Sequence, residues 1–121
     1  MKYKNVLFIL LLSVFMLKCE NNKIDIVPKI HSVNVLQTDY APADIIDFTS
    51  KNETWAKLEI HGENFFPSTD ILITSYCTKE IIESTRILCG VCCWEKAGKY
   101  LVRAKNLDSD WSADEVYITV Y

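Results

Sequence analysis

The sequence predicts an all-β chain: a single antiparallel β-sandwich of about seven strands, preceded by a signal helix. Three observations carry this. Apolar and polar residues alternate in short runs bounded by Gly, Pro, Asn and Asp. No stretch of the body keeps a 3.6-residue apolar period. The one unbroken apolar block sits at the N-terminus, and 121 residues suffice for one ordinary domain behind it. With 50% hydrophobic and 24% charged residues, the composition is that of a folded chain.

Residues 1–18 are expected to be an export signal. Lys2 and Lys4 form a basic start, and residues 6–17 are an apolar run broken only by Ser13. A bilayer span needs about 20 apolar residues, so this run has signal-peptide length. It ends at Met16-Leu17-Lys18-Cys19, followed by the polar Glu20-Asn21-Asn22-Lys23. That arrangement resembles a bacterial lipoprotein signal, in which cleavage before the Cys exposes it for diacylation. Lys18 stands where such signals usually carry a small residue. Cys19 is thus the expected lipidation site, residues 19–27 a polar tether, and 28–121 the folded domain. The expected location is extracytoplasmic, anchored to a bacterial outer membrane or cell surface.

The body is read strand by strand. Residues 29–36 alternate through Ile30, Val33 and Val35. Residues 37–54 are polar, hold one apolar patch at Ile45, Ile46 and Phe48, and are expected to form a long loop, with a strand or helical turn in its middle as the alternative. Residues 55–61 alternate with Leu58 and Ile60 on one face, and Gly62 and Pro67 break the chain. Residues 71–76 are β-branched and aromatic. Residues 85–91 put Ile87, Cys89 and Val91 on one face. Residues 99–105 turn Tyr100, Val102 and Ala104 inward, and Val116, Ile118 and Val120 alternate in the last strand.

Four of these pieces are similar to the IPT/TIG domain, an immunoglobulin-like sandwich. They are Pro28-Lys29-Ile30-His31-Ser32-Val33; Leu58-Glu59-Ile60-His61-Gly62-Glu63-Asn64-Phe65; Ser84-Thr85-Arg86-Ile87-Leu88-Cys89; and the 98–106 strand with Ser112 and the final strand. Gly62 suits a turn or a close backbone approach, and Phe65 is placed to fold back on the core's end. The resemblance implies an immunoglobulin-like fold and a non-catalytic binding or adhesion module. The family's glycine-rich link between its first two strands is absent, and residues 37–54 occupy its place.

Charge narrows the partners. Residues 19–121 carry 10 basic against 16 acidic residues, a formal charge of −6. Nucleic acid demands clustered Lys and Arg, so it is excluded as a partner. Arg86, Arg103, His31 and His61 are the whole supply of arginine and histidine, and neither histidine has a triad-like context, so no catalytic residue is assigned. No cofactor is expected.

Five cysteines are an odd number for an exported chain. With Cys19 lipidated, Cys77, Cys89, Cys92 and Cys93 remain as disulfide candidates, and three connectivities are open. Cys92 and Cys93 would point to opposite faces of a strand, so they are expected to have different partners, with at least one bridge joining Cys77 to the 89–93 group. Cys89-Gly90-Val91-Cys92 has zinc-like spacing, but a second pair is missing, and no metal site is assigned. A redox or metal-binding lipoprotein using these four cysteines is the rival reading.

Trp94, Trp111 and Tyr40 fall in expected loops and are the candidates for contact with a glycan or protein partner. Trp55, opening a strand, is expected in the core. Specificity is expected in the 37–54 loop and the 92–97 turn.

Overall fold

A computed structural model describes residues 26–121. The export signal, Cys19 and the tether up to residue 25 lie outside the described residues.

The expected sandwich is what forms. Eight strands follow in order: β1 (Lys29–Thr38), β2 (Ala41–Pro42), β3 (Trp55–Glu63), β4 (Asp70–Leu72), β5 (Thr78–Ile82), β6 (Arg86–Cys92), β7 (Gly98–Lys105) and β8 (Val116–Val120). One helical turn, α1 (Phe48–Lys51), sits between β2 and β3. All the strand pairs are antiparallel, in a five-stranded sheet β2-β1-β3-β6-β5 and a three-stranded sheet β4-β7-β8. Without the two-residue β2, the sheets are β1-β3-β6-β5 and β4-β7-β8. That is the strand order of an immunoglobulin constant-type sandwich.

Alternation builds the core. Ala56, Leu58 and Ile60 of β3 and Ile87, Cys89 and Val91 of β6 face Ile71, Val102, Ala104, Ile118 and Val120 of the second sheet. Each large aliphatic side chain so buried contributes about 1.5–3 kcal/mol relative to exposure. The opposite parity of β3, namely Trp55, Lys57, Glu59 and His61, lies on the outer face of the five-stranded sheet.

The long 37–54 segment is more ordered than a free loop. Ile46 is fully buried and bridges Val120, while the amides of Phe48 and Thr49 donate to the Tyr121 carbonyl at 2.6 and 2.9 Å. Asp47 caps α1 by accepting from the Ser50 amide at 2.8 Å. Glu53 receives the Asp47 amide at 3.0 Å and the hydroxyl of buried Thr38.

Two expectations change in extent. The 71–76 strand is only Asp70–Leu72, after which an Ile73–Ser75 turn interrupts it. β5 was not expected at all. Its sequence Thr-Lys-Glu-Ile-Ile is polar because it is an edge strand, bulged between Lys79 and Ile81. Lys79 pairs with Asp70 at 3.2 Å and Glu80 with Lys57 at 2.8 Å, so charge covers an edge that would otherwise template aggregation.

Candidate functional site: an aromatic platform at one end of the sheet

β1 turns into β2 through Asp39 and Tyr40 alone, with Thr38 opposite Ala41. Both residues have positive φ, +37° and +72°, the sign pattern of a type I′ hairpin turn. Neither is glycine, so the tight turn holds two side chains in a conformation they rarely adopt. The turn presents the Tyr40 ring at 91% exposure.

Tyr40 does not stand alone. Its ring stacks on Trp55 with centroids 5.8 Å apart and planes 20° from parallel. Trp55 is half-buried on the outer face, and its indole covers Gly90 of the neighbouring β6. A β-carbon on Gly90 would lie 3.0 Å from the Trp55 Nε1, so the glycine makes room for the ring. The result is two flat, near-parallel rings at the tip of the sheet, flanked by exposed Asp39 and Thr54.

The cysteines border the same end. Cys92 pairs directly with Trp55 in the β3–β6 register. Cys92 and Cys93 form a disulfide, which overturns the expectation that they would take different partners. The opposite-faces rule holds only while the chain stays extended, and it does not here. Cys93 leaves the strand at φ +82°, and its amide donates to the Thr54 carbonyl at 2.9 Å. Cys77 and Cys89, expected to join a bridge, are free thiols buried side by side in the core. A hydrogen bond with Cys77, reinforced by burial, pushes the Cys89 thiol well above its ordinary pKa.

The other two loop aromatics are placed differently. Trp94 is a core residue at 4% exposure, packed at 5.1 Å against Tyr100, so it offers no surface to a partner. Trp111 is half-exposed, but Arg103 and Lys105 lie 4.9 and 5.6 Å over its ring. Those cations already use the face a ligand would need. Trp55, expected in the core, is misplaced in the opposite sense to Trp94 and lies half-buried on the outer face. Its parity carried the signal, because it shares a face with Lys57 and Glu59 rather than with Leu58 and Ile60.

Charged groups run across the middle of the outer face. Glu59 accepts from Arg86 at 3.0 Å and lies 2.6 Å from His61, and Arg86 also reaches Glu83 at 3.0 Å. The hydrogen bonds from His61 and then Arg86 hold the Glu59 carboxyl below its ordinary value. Among the described residues, no three His, Cys, Asp or Glu side chains gather as a metal site. No family model matches the chain, and no curated protein or solved structure is significantly similar to it.

Proposed function

We propose that the chain is a non-catalytic, immunoglobulin-like binding module of the IPT/TIG kind, which recognises a glycan through Tyr40 and Trp55. In this reading Cys19 anchors it to the outer side of a membrane, and the platform faces away from the surface. The observation that carries the proposal is the 91% exposed Tyr40 ring held by a two-residue turn against Trp55. The open outer face of the stacked Tyr40 ring matches the apolar face of a sugar, while Asp39 and Thr54 offer hydrogen-bonding groups at the margin. A ring already fixed in place loses little entropy when it binds, so its contact energy is mostly retained.

A glycan array probed with the full chain, and with Tyr40→Ala and Trp55→Ala separately, tests the platform. Binding by the parent and at least tenfold weaker binding by both variants is the expected result. An array with no glycan bound, or variants that bind as the parent does, sinks the glycan reading; capture of a surface protein instead moves the platform to protein contact. The anchor is tested by fractionation, where Cys19→Ser should move the protein from membranes to the soluble fraction.

A further inference from the structure

The fold separates four cysteines that are close in sequence into two chemical sets. Cys77 and Cys89 are thiols within the core, at 7% and 0% exposure. Both are shielded from solvent, and Cys89 is held in its protonated form by burial and its neighbour. Burial keeps solvent reagents from both sulfurs, so this pair is inert in the folded protein. The Cys92–Cys93 disulfide, by contrast, lies at the surface. Cys93 is exposed and lines a cleft of about 490 Å³ with Ile73, Thr74, Glu95, Lys96 and Tyr100.

We propose that the Cys92–Cys93 disulfide is a reduction site for dithiols, and that its closed form clasps the aromatic platform. The cleft gives a small dithiol access to the Cys93 sulfur, the more exposed of the two. The clasp follows from two contacts and one backbone angle at the same point of the chain. Cys92 is the register partner of Trp55, the Cys93 amide is bonded to Thr54, and Cys93 is held at φ +82°. A non-glycine residue keeps such a conformation only while its surroundings impose it. Opening the bridge removes one of those constraints. Residue 93 then returns to negative φ, its amide leaves Thr54, and the start of β3 that carries Trp55 loosens.

The chemistry balances without further components. One thiolate of the dithiol attacks the Cys93 Sγ, the S–S bond breaks, and Cys92 leaves as a thiolate that takes up a proton. The reductant's second thiolate then attacks its own sulfur in the mixed disulfide and expels Cys93, which is protonated in turn. Two electrons and two protons pass to the protein, and the dithiol ends as a cyclic disulfide. The reduction site stands on the cysteines alone, whereas the clasp rests on the platform reading above.

The test uses the folded full chain and dithiothreitol. Thiols are alkylated natively with iodoacetamide, then after denaturation with N-ethylmaleimide, and each cysteine is read by peptide mapping. After reduction, native labelling should fall on Cys92 and Cys93 at least tenfold faster than on Cys77 and Cys89. A Cys77 bridge found before reduction, or equal labelling of all four, overturns the reduction site. In a Trp94→Phe background, which removes the ring next to Cys93, tryptophan emission should shift on reduction and the shift should vanish when Trp55→Phe is added; no shift, or one that survives that addition, overturns the clasp. The Cys92→Ser/Cys93→Ser double variant should show the reduced protein's emission without reductant, and emission like the oxidised parent also overturns the clasp. If the array shows no glycan while labelling follows the expected order, the platform reading fails and the reduction site stands.

Discussion

The two ends of β3 lie roughly 26 Å apart and are built on opposite principles. At the Gly62 end everything is closed. The Phe65 ring, 3% exposed, packs onto Gly62, and the amides of Gly62 and Phe65 donate to Thr85 and Ser84 at 3.0 and 3.1 Å. Buried Asn106 uses its whole side chain there: its amide donates to the carbonyls of Ile26 and Asn64 at 2.8 and 3.0 Å and its oxygen accepts from Thr69. At the Trp55 end the rules are relaxed. Asp39, Tyr40 and Cys93 sit at positive φ, against Asn64 at the closed end, Tyr40 is almost wholly exposed, and the buried Trp94 Nε1 has no hydrogen-bond partner among the described residues. Unsatisfied groups and unusual backbone cost stability, and folds retain them where a site needs them. In the proposed reading, one end serves stability and the other contact.

The closed end is the place for the largest effects. A β-carbon on Gly62 would lie 1.9 Å from the Lys29 carbonyl oxygen and 2.6 Å from Phe65 Cζ. Since a backbone atom blocks it, relaxation requires parting β1 from β3. Gly62→Ala should cost about 3 kcal/mol or more, a fall of roughly 12–24 °C in melting temperature for a domain of this size. Asn106→Ala should cost about 2–3 kcal/mol, because the Ile26 and Asn64 carbonyls lose their donor and Thr69 its acceptor. Urea unfolding should show the midpoint lowered at constant slope. A loss of under 1 kcal/mol in both variants would break the contrast between the ends.

The difference between the ends also explains what the sequence revealed. Alternation in β3, β6, β7 and β8 marked the buried face residue by residue, because burial on one side is what makes a strand alternate. Gly62 and Phe65 were legible for a related reason: a glycine before a ring, at a strand end, has few uses besides close approach. β5 was hidden, since an edge strand protected by Lys79 and Glu80 has the composition of a loop. The platform was half legible. Tyr40 could be named as an exposed loop aromatic, but its partner is 15 residues on, and only the β1–β2 turn brings them together. The cysteine pairing was not legible, because a positive φ at a non-glycine residue leaves no mark in sequence.

Between the two ends, the Glu59–His61–Arg86 cluster should make a smaller contribution that depends on pH. Its sign is fixed by the direction of the Glu59 shift. A carboxyl held below its ordinary value in the folded state stabilises the fold above the unfolded-state value, and that stability is lost as pH falls through the depressed folded value. Thermal melts from pH 7 downward should therefore decline, through and below the ordinary carboxylate range, more steeply for the parent than for Glu59→Gln. The difference should be small, since the cluster is solvent-accessible and screened. Parallel curves would mean that the cluster is neutral to folding.

The smallest effect on stability should come from Tyr40, and that is what sharpens the contrast. The ring is 91% exposed, so its removal uncovers little, and Tyr40→Ala forfeits only the stack on Trp55, about 0.5–1.5 kcal/mol. Alanine keeps a β-carbon at φ +72°, so the variant keeps the cost of the turn. Tyr40→Gly loses the same stack but relieves that cost, which is about 1–2 kcal/mol for a residue with a β-carbon. The gain is offset by glycine's extra freedom in the unfolded chain, roughly 0.5–1 kcal/mol. The glycine variant should therefore melt at or above the alanine variant and within a few degrees of the parent. Both should lose the platform's binding alike. If Tyr40→Gly instead melts well below the parent, the ring is holding the sheet end together. The open end would then be a second stabilising cap rather than a surface set aside for a partner.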